Sequence, residues 1–300
     1  METSVRRLFL QPMLVLSCFA ACEHDHVKPV GTNTDSEAEV QRYVRRAHLD
    51  LSGRPPTDAE LAAATTQLRD ANNTAEARAT FVDGLMATDT FAKLWIEELE
   101  NSIFGGNTLD RQYAFICSIV RGGDRTCDTC TEQDSCNCSC GILPTLKAER
   151  TDLMAAATDF AANKASSSIE RRYAAAIGYF ALNGEPEGRV SALFDDFLAR
   201  PAEPDEIENG RAMVIGAIFP GSPAGLMFHR HGGDYADLID IVFDSEVYRE
   251  AMVRRMFERY LARDPKPIEL AYFVTTLDAN EPDARGLVRA VLSSREYFEQ

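Results

Sequence analysis

Six cysteines near the middle of the sequence could bind a metal or form disulfides. They lie in a segment rich in Gly, Asp, Thr, Ser and Asn that has too few apolar side chains for a core of its own: Cys117, Cys127, Cys130, Cys136, Cys138 and Cys140. A Cys-x-x-Cys followed by Cys-x-Cys-x-Cys supplies enough thiolates for zinc or an iron–sulfur cluster. In an oxidising compartment the same thiols form three disulfides, without the sequence fixing which cysteines pair. The N-terminus, described below, resembles an export signal. Export would place the cysteines in an oxidising compartment, which favours disulfides.

A second group with ligand chemistry lies in the last third of the sequence. His229, His231 and Asp234 alternate along a Gly-rich stretch, and two imidazoles with one carboxylate suit zinc or another transition metal with open positions for water. The alternative is a solvated loop in which Asp234 caps the following helix. The sequence leaves both interpretations open, and no other cofactor is expected.

Beyond these two groups, the sequence contains no familiar catalytic string. Gly-x-Ser-x-Gly, His-Glu-x-x-His and the phosphate-binding Gly-x-x-x-x-Gly-Lys are all absent. Paired acids such as Asp195-Asp196 lie on amphipathic stretches, where we interpret them as solvated faces. The 31 Lys and Arg against 47 Asp and Glu give a net charge of −16, which repels nucleic-acid phosphates. The sequence shows no basic patch, so a nucleic-acid partner is not expected.

The first residues resemble an export signal. Two arginines precede an apolar stretch, residues 8–21, that is too short to span a bilayer as a helix. It ends in Phe19-Ala20-Ala21-Cys22, and small residues before a cysteine are typical of the lipobox of bacterial lipoproteins. The alternative is an ordinary cleaved signal that leaves Cys22 spare. We expect lipid anchoring at Cys22 to the outer membrane or the periplasmic face of the cell envelope, with the polar residues 22–35 as a flexible tether.

The elements that position these groups are helical and repeat along the chain. Residues 43–91 match residues 252–298 at an offset of 209 and then, after the loss of two residues, of 207. A weaker third copy begins near Phe197. Each copy contains an arginine followed by a glutamate: Arg54 and Glu60, Arg200 and Glu206, and Arg263 and Glu269. Apolar residues recur at the helical period, so the sequence predicts an all-α array of three related helix-break-helix-helix units with a Cys-rich loop insertion.

Local signals predict the helix ends within the first unit. Ser36 and Thr57 each begin a capping box, and Gly53 with the following prolines ends the helix between them. The recurrent Arg-x-Pro-x-x-x-Glu-Leu element places a cation and a carboxylate near a helix N-terminus. We favour a structural role, in which the glutamate complements the helix dipole and the arginine covers the carbonyls that end the preceding helix. His48 is likewise expected to be packed or to face the helix dipole.

The start of the first unit resembles a known family. The string Leu49-Asp50-Leu51-Ser52-Gly53-Arg54-Pro55-Pro56-Thr57, followed by a Leu-rich helix and Trp95, is similar to the domain of unknown function in planctomycete-type cytochrome-associated proteins. Residues 292–298 resemble the closing helix of that family and of related secreted helical domains. The resemblance implies no reaction, because the family has no agreed activity or catalytic residues. Its members often occur beside a haem-attachment Cys-x-x-Cys-His, but Cys127-Asp128-Thr129-Cys130-Thr131 departs from it, so covalent haem is not expected.

These patterns divide the chain into six segments. They are the signal (1–21), the tether (22–35), the first helical unit (36–104), the Cys-rich insertion (105–150), the middle helical unit with a loop insertion (151–248) and the C-terminal unit (249–300). We expect a non-enzymatic binding or scaffold module of the cell envelope, whose partner is another envelope protein, with a cytochrome as one candidate. The alternative is a metal-dependent or redox-associated enzyme subunit that uses His229, His231 and Asp234 or the cysteines.

Overall fold

A computed structural model describes residues 35–123, 127, 135–218 and 224–300 of the chain. Helices dominate this part, which confirms the predicted all-α class. The helices are α1 Glu37–Ser52, α2 Asp58–Asp70, α3 Ala75–Met86, α4 Asp89–Ile103, α5 Leu109–Gly123, α6 Leu143–Met154, α7 Ala156–Ala161, α8 Ser166–Ala175, α9 Ile177–Leu182, α10 Pro186–Leu198, α11 Pro204–Ile218, α12 Tyr235–Phe243, α13 Glu246–Leu261, α14 Pro267–Thr276, α15 Ala284–Ser293 and α16 Arg295–Glu299. Two short antiparallel strands, β1 Gly225–Met227 and β2 Arg230–Gly232, and a 3₁₀ turn, Ser135–Asn137, complete the described elements.

The caps predicted for the first unit set the ends of its helices. The Ser36 hydroxyl accepts the N–H of Glu39, whose carboxylate in turn accepts the N–H of Ser36 over 2.6 Å. Thr57 and Glu60 repeat this capping box at the start of α2. Gly53 ends α1 in the left-handed region at φ 65°, which a glycine adopts without strain. The chain therefore turns from α1 to α2 at the residues that the sequence predicts.

The helices preceding the three Arg–Glu pairs end in the same way. Gly53, Ala199 and Ala262 follow α1, α10 and α13 with φ values of 65°, 52° and 53°. A left-handed alanine is uncommon, so the two alanines hold a conformation that the surrounding structure imposes. Each of these helices is followed, after a short turn, by a helix that the glutamate of the pair helps to begin: α2, α11 and α14.

The two ends of the described chain pack into one body. Helix α3 lies against α15, and α1 lies against α16. The buried Arg78 side chain donates from Nε to the Ser293 carbonyl over 2.9 Å, and the Tyr297 hydroxyl donates to Asp50 over 2.7 Å. These side chains join residues more than two hundred positions apart in sequence. The first and last units are therefore neighbours in space, although residues 105–248 separate them in sequence.

The Cys-rich insertion contains the disulfides predicted there. Cys117 is bonded to Cys136 and Cys127 to Cys140. Cys138 is disulfide-bonded as well, whereas Cys130 lies outside the described residues. Cys117 and Cys136 are fully buried, so the disulfide between them joins α5 to the 3₁₀ turn inside the core. The prediction of disulfides is thus confirmed for the described cysteines.

The predicted membrane attachment falls on another part of the chain. The predicted signal, the predicted lipidation site Cys22 and the predicted tether as far as residue 34 lie outside the described residues. In the part of the chain that is described, none of the helices is both long enough and apolar enough to cross a membrane.

Candidate functional site

The predicted metal ligands lie on the hairpin that interrupts the middle unit. His229 lies in the turn between β1 and β2 at φ 64°, and His231 lies in β2 opposite Leu226. The Asp234 carboxylate accepts the Asp237 N–H over 2.9 Å and caps α12, as the alternative interpretation predicted. Across the described residues, no three His, Cys, Asp or Glu side chains are grouped so as to hold a metal ion. The structure therefore places His229, His231 and Asp234 near one another in sequence without gathering them into a ligand set.

The three arginine–glutamate pairs share one geometry. Arg54 donates from Nη1 and Nη2 to the two carboxylate oxygens of Glu60 over 2.9 and 2.7 Å, and from Nη1 to the Pro55 carbonyl over 3.1 Å. The glutamate also accepts a backbone N–H three positions before it, at 2.7 Å in this pair. The same contacts connect Arg200 to Glu206 and Arg263 to Glu269. We call each set of contacts an Arg–Glu joint.

The joints hold the turn between two helices, which supports the structural role expected for them. Arg54 contacts Glu60 and the next carbonyl, so the prediction that it covers the final carbonyls of the preceding helix is wrong. The hydrogen bonds from Arg54 and Thr57 keep the pKa of Glu60 far below its usual range. Burial alone would raise the pKa of Glu269, but hydrogen bonds from Arg263 and the Lys266 N–H bring it below its ordinary value. These carboxylates stay charged and bonded, so they are unsuited to acid–base chemistry near neutral pH.

A groove between α14 and α15 is the main concave surface formed by the last unit. Its volume is about 890 Å³, within the range of sites that bind small molecules or peptide side chains. Helices α3 and α13 supply its other walls. The apolar part of its lining consists of Ala75, Ala79, Phe257, Leu261, Tyr272, Phe273, Leu277, Leu287, Ala290 and Val291. We call this space the α14–α15 groove.

The second turn of the helix after each joint differs between the first and last units, and this difference accounts for the open groove. Aligning the joints places Tyr272-Phe273 of α14 at the positions of Ala63-Ala64 in α2. Helix α2 packs against α3 as well as against α1, whereas α14, within the described residues, packs mainly against α13. The Phe273 ring contacts Phe257 at 5.6 Å and Tyr272 at 5.3 Å between ring centroids. The aromatic pair fixes α14 on α13 and leaves the side toward α15 uncovered.

The middle unit covers the equivalent surface with its hairpin. Asn209-Gly210 of α11 stand at the positions of Tyr272-Phe273. The Asn209 side chain accepts the Leu226 N–H over 2.8 Å, and β1 packs on α11. A Cβ added to Gly225 would lie 2.1 Å from the Asn209 carbonyl oxygen, so the backbone of β1 approaches the helix too closely for any other residue. An extended segment can therefore cover this face of a unit.

Charged side chains surround the mouth of the α14–α15 groove. Arg295 donates from Nη1 to both carboxylate oxygens of Asp35 over 2.9 Å, and Asn73 donates to the same carboxylate over 2.8 Å. Elsewhere on the rim, the backbone N–H groups of Glu281 and Asn280 lower the pKa of Asp278, which keeps it ionised. Asp278 and Glu281 give that rim a negative charge.

One acidic side chain differs from its interpretation in the sequence. The sequence predicts a solvated face for Asp196, but this residue is half-buried and accepts the Tyr179 hydroxyl over 2.7 Å. Burial raises its pKa to about 6, against the lowering effect of the Tyr179 hydrogen bond. Other tyrosine hydroxyls also donate to partly buried carboxylates, such as Tyr173 to Glu100. We therefore interpret Asp196 as a structural residue.

The groove is not among the predicted sites, although the sequence contains a signal for it. Once the arginine and glutamate of each joint are aligned, the pairs Ala63-Ala64, Asn209-Gly210 and Tyr272-Phe273 stand in register. Only the last pair is large and apolar. A large aromatic pair at a position that is small in the sister units predicts a helix displaced from its neighbour.

Comparison with known families agrees with the resemblance noted in the sequence. Residues 23–111 match the PSCyt2 family model. That family is described as a protein of unknown function (DUF1549). The match covers the first unit with the start of α5 and stops well before α14 and α15. No curated protein and no solved structure matches the chain. The comparisons therefore support a domain of unknown function in the first unit and assign no role to the groove.

Proposed function

We propose that this chain is a non-enzymatic binding module of the cell envelope, in which the α14–α15 groove receives an extended segment of another envelope protein. The observation that carries the proposal is the groove itself. Its lining includes a set of apolar side chains, most of its lining residues lie on helices, and the Tyr272-Phe273 pair of α14 lies in it. Sites built on rigid helices bind without a large ordering cost.

The middle unit indicates the form of the bound segment. There, an extended strand lies over the face of α11 that corresponds to the open face of α14, and its Leu226 N–H donates to the Asn209 side chain. The groove has a half-buried tyrosine, Tyr272, at the equivalent position. An extended segment with apolar side chains toward Tyr272 and Leu277 would cover the groove as the hairpin covers α11. A cytochrome of the envelope is one candidate partner.

Export and lipid attachment at Cys22 complete the proposal. The basic and apolar start of the sequence, with small residues before Cys22, supports a lipid anchor on the outer membrane or the periplasmic face of the envelope. The disulfides of the insertion support an oxidising compartment. Within the described residues, no observation favours the alternative of a metal-dependent or redox-associated enzyme subunit.

Site-specific photo-crosslinking in the native envelope tests the proposed function. A photoreactive amino acid replaces Tyr272, which lines the groove, or Ile268, which is 67% exposed and lies outside the groove lining on the same helix. We expect a discrete adduct from position 272 and none of the same size from position 268. Mass spectrometry then identifies the adduct, and the purified partner is titrated against the lipidated protein.

A variant that fills the groove supplies the decisive control. Gly286 lines the groove, and a Cβ added there meets nothing within 4 Å, so Gly286→Trp places an indole in the open space. Gly84 on α3 has equally open surroundings and lies outside the groove lining, which makes Gly84→Trp the matched control. The adduct should disappear with Gly286→Trp and persist with Gly84→Trp. An adduct that is unchanged by Gly286→Trp would overturn the groove as the binding site.

A further inference from the structure

The N-terminal segment of the chain enters the described structure at the edge of the α14–α15 groove. Asp35, the first described residue, is held by Arg295 and Asn73, both of which line the groove. The Asp35 side chain is only 9% exposed. The residues that precede it therefore start from a fixed point at the mouth of an open apolar surface.

The segment is long enough to cover that surface. Val30 lies five residues before Asp35, a span of about 17 Å in an extended chain at roughly 3.3 Å per residue. Helix α14 has ten residues and is about 15 Å long. A chain leading back from Asp35 is therefore long enough to bring both Val30 and Val27 to the groove without being fully extended.

The chemistry of residues 27–30, Val-Lys-Pro-Val, fits the groove. Pro29 fixes its own φ and restricts Lys28 to extended conformations, which favours a polyproline-like segment. With three residues per turn, such a segment places Val27 and Val30 on one face. Lys28 is the one lysine or arginine between residues 22 and 35, and the groove offers the acidic rim of Asp278 and Glu281. Apolar side chains thus meet an apolar floor, and a cation meets a negative rim.

We propose that residues 27–30 of this same chain dock in the α14–α15 groove, with both valines against the half-buried Tyr272 and Leu277 and with Lys28 toward Asp278 and Glu281. This inference rests on the proposed function, because it names the regulation of the same groove. The internal segment and an external partner compete for one surface. Binding of the partner releases the segment and with it the full length of tether between the helical body and residue 22.

Hydrogen exchange on the full mature chain, residues 22–300 with Cys22→Ser, tests the docking directly. The amides of residues 27, 28 and 30 should exchange about tenfold more slowly than those of a free peptide of the same sequence. Gly286→Trp should remove this protection, and Gly84→Trp should leave it. Equal exchange rates in the chain and the free peptide would overturn the docking. Protection that survives Gly286→Trp would also overturn it, because the segment would then be bound elsewhere.

Variants of the segment itself avoid any effect on folding of the helical body. Val27→Ser with Val30→Ser removes the apolar face, and Lys28→Glu reverses the charge toward Asp278 and Glu281. Both changes should raise the exchange rate of residues 27–30 to that of the free peptide. A neutral control, Thr32→Ser, should keep the protection. If the valine and lysine variants remain as protected as Thr32→Ser, the docking is wrong.

The exchange experiment separates this inference from the proposed function. Loss of the photo-crosslink with Gly286→Trp, together with free exchange of residues 27–30, would reject the internal docking and retain the groove as a partner site. Protection of residues 27–30 without a groove-dependent crosslink would retain the docking and reject the external partner. If both hold, the valine variant should bind the partner more tightly, because the competing segment has been removed.

Discussion

The first and last units of the molecule use the same joint but differ in the helix that begins after it. Arg54–Glu60 and Arg263–Glu269 make the same hydrogen bonds, and Gly53 and Ala262 end the preceding helices in the same left-handed conformation. After the joint, α2 has two alanines and packs on both α1 and α3, whereas Tyr272-Phe273 keep α14 on α13. The difference shows that the joint fixes where a helix begins, while the residues three and four positions after its glutamate decide whether a groove remains.

Removal of the Phe273 ring should have the largest effect on this comparison. Phe273 is 4% exposed and its ring contacts those of Phe257 and Tyr272. Phe273→Ala deletes a buried aromatic ring and should lower the free energy of unfolding by about 3 kcal/mol. Urea denaturation followed by far-UV circular dichroism measures the loss.

The matched test is the reverse substitution in the first unit, in which an aromatic residue replaces a small one. Ala64 is buried at the position that corresponds to Phe273. Ala64→Phe should cost about 1 to 3 kcal/mol, because the added ring must be fitted into a closely packed interface of α2. A neutral effect of Ala64→Phe would mean that the first unit has room for a ring and that the proposed reason for its closure is wrong.

The third joint should contribute more to stability than the first. Arg263 donates to Glu269 and, over 2.6 Å, also to Glu296, and its side chain is 26% exposed. Arg263→Ala should therefore lower the free energy of unfolding by about 1 to 2 kcal/mol. Arg54 binds one carboxylate and lies on the surface, so Arg54→Ala should lower the free energy of unfolding much less. Thermal melts of the two variants compare the effects as shifts in melting temperature. Equal shifts would contradict the assigned difference.

The acid limb of the stability profile should change with the same substitution. The pKa of Glu269 lies below its ordinary value of 4.5, so the native state stabilises the ionised form. This contribution is present above pH 4.5 and is lost as the pH falls through the lower folded value. Arg263→Ala should flatten that part of the profile, and thermal melts between about pH 3 and 6 measure the slope. An unchanged slope would show that Arg263 does not hold the Glu269 charge.

Much of this architecture could be predicted from local sequence signals. The capping boxes at Ser36 and Thr57, the left-handed Gly53 and the arginine–glutamate spacing each act within a few residues, so the sequence contains them directly. The groove depends instead on how far α14 lies from α15, which are separated by the turn at residues 277–283. That distance follows from the packing of Phe273 on Phe257, a contact that helical periodicity alone does not predict. The hairpin is not predicted from the sequence for a different reason: each of its strands has only three residues, too few to show a period.

His48 offers a smaller test of the same alignment of units. Phe194 and Phe257 occupy its position in the other two units, where the arginines Arg200 and Arg263 lie over their rings at 4.9 and 5.1 Å. His48 is 4% exposed, and its Nδ1 has no hydrogen-bond partner within the described part of the chain. His48→Phe should raise the free energy of unfolding by about 1 kcal/mol, because an unpaired buried polar atom is removed. Chemical denaturation near neutral pH measures the gain.

The pH dependence identifies the source of that gain. Burial lowers the pKa of His48 below its ordinary value of 6.5, so the unfolded chain binds the proton more readily than the folded chain. Stability is therefore lost as the pH falls below 6.5, and His48→Phe should remove this loss between about pH 5 and 6.5. If the variant and the parent lose stability in parallel over that interval, the buried imidazole is not responsible.

The smallest expected effect concerns the floor of the groove. Gly286 lies in the first turn of α15 and Gly84 in the last turn of α3, and an added Cβ meets nothing within 4 Å at either position. Replacing each by alanine should raise the free energy of unfolding by a similar amount, about 0.5 to 1 kcal/mol, because alanine favours the helix. Urea denaturation of both variants under the same conditions, fitted to a two-state transition, measures the two changes in the free energy of unfolding. If Gly286→Ala is destabilising while Gly84→Ala is stabilising, the groove is narrower at its floor than its volume implies, since even a methyl group would then meet its opposite wall.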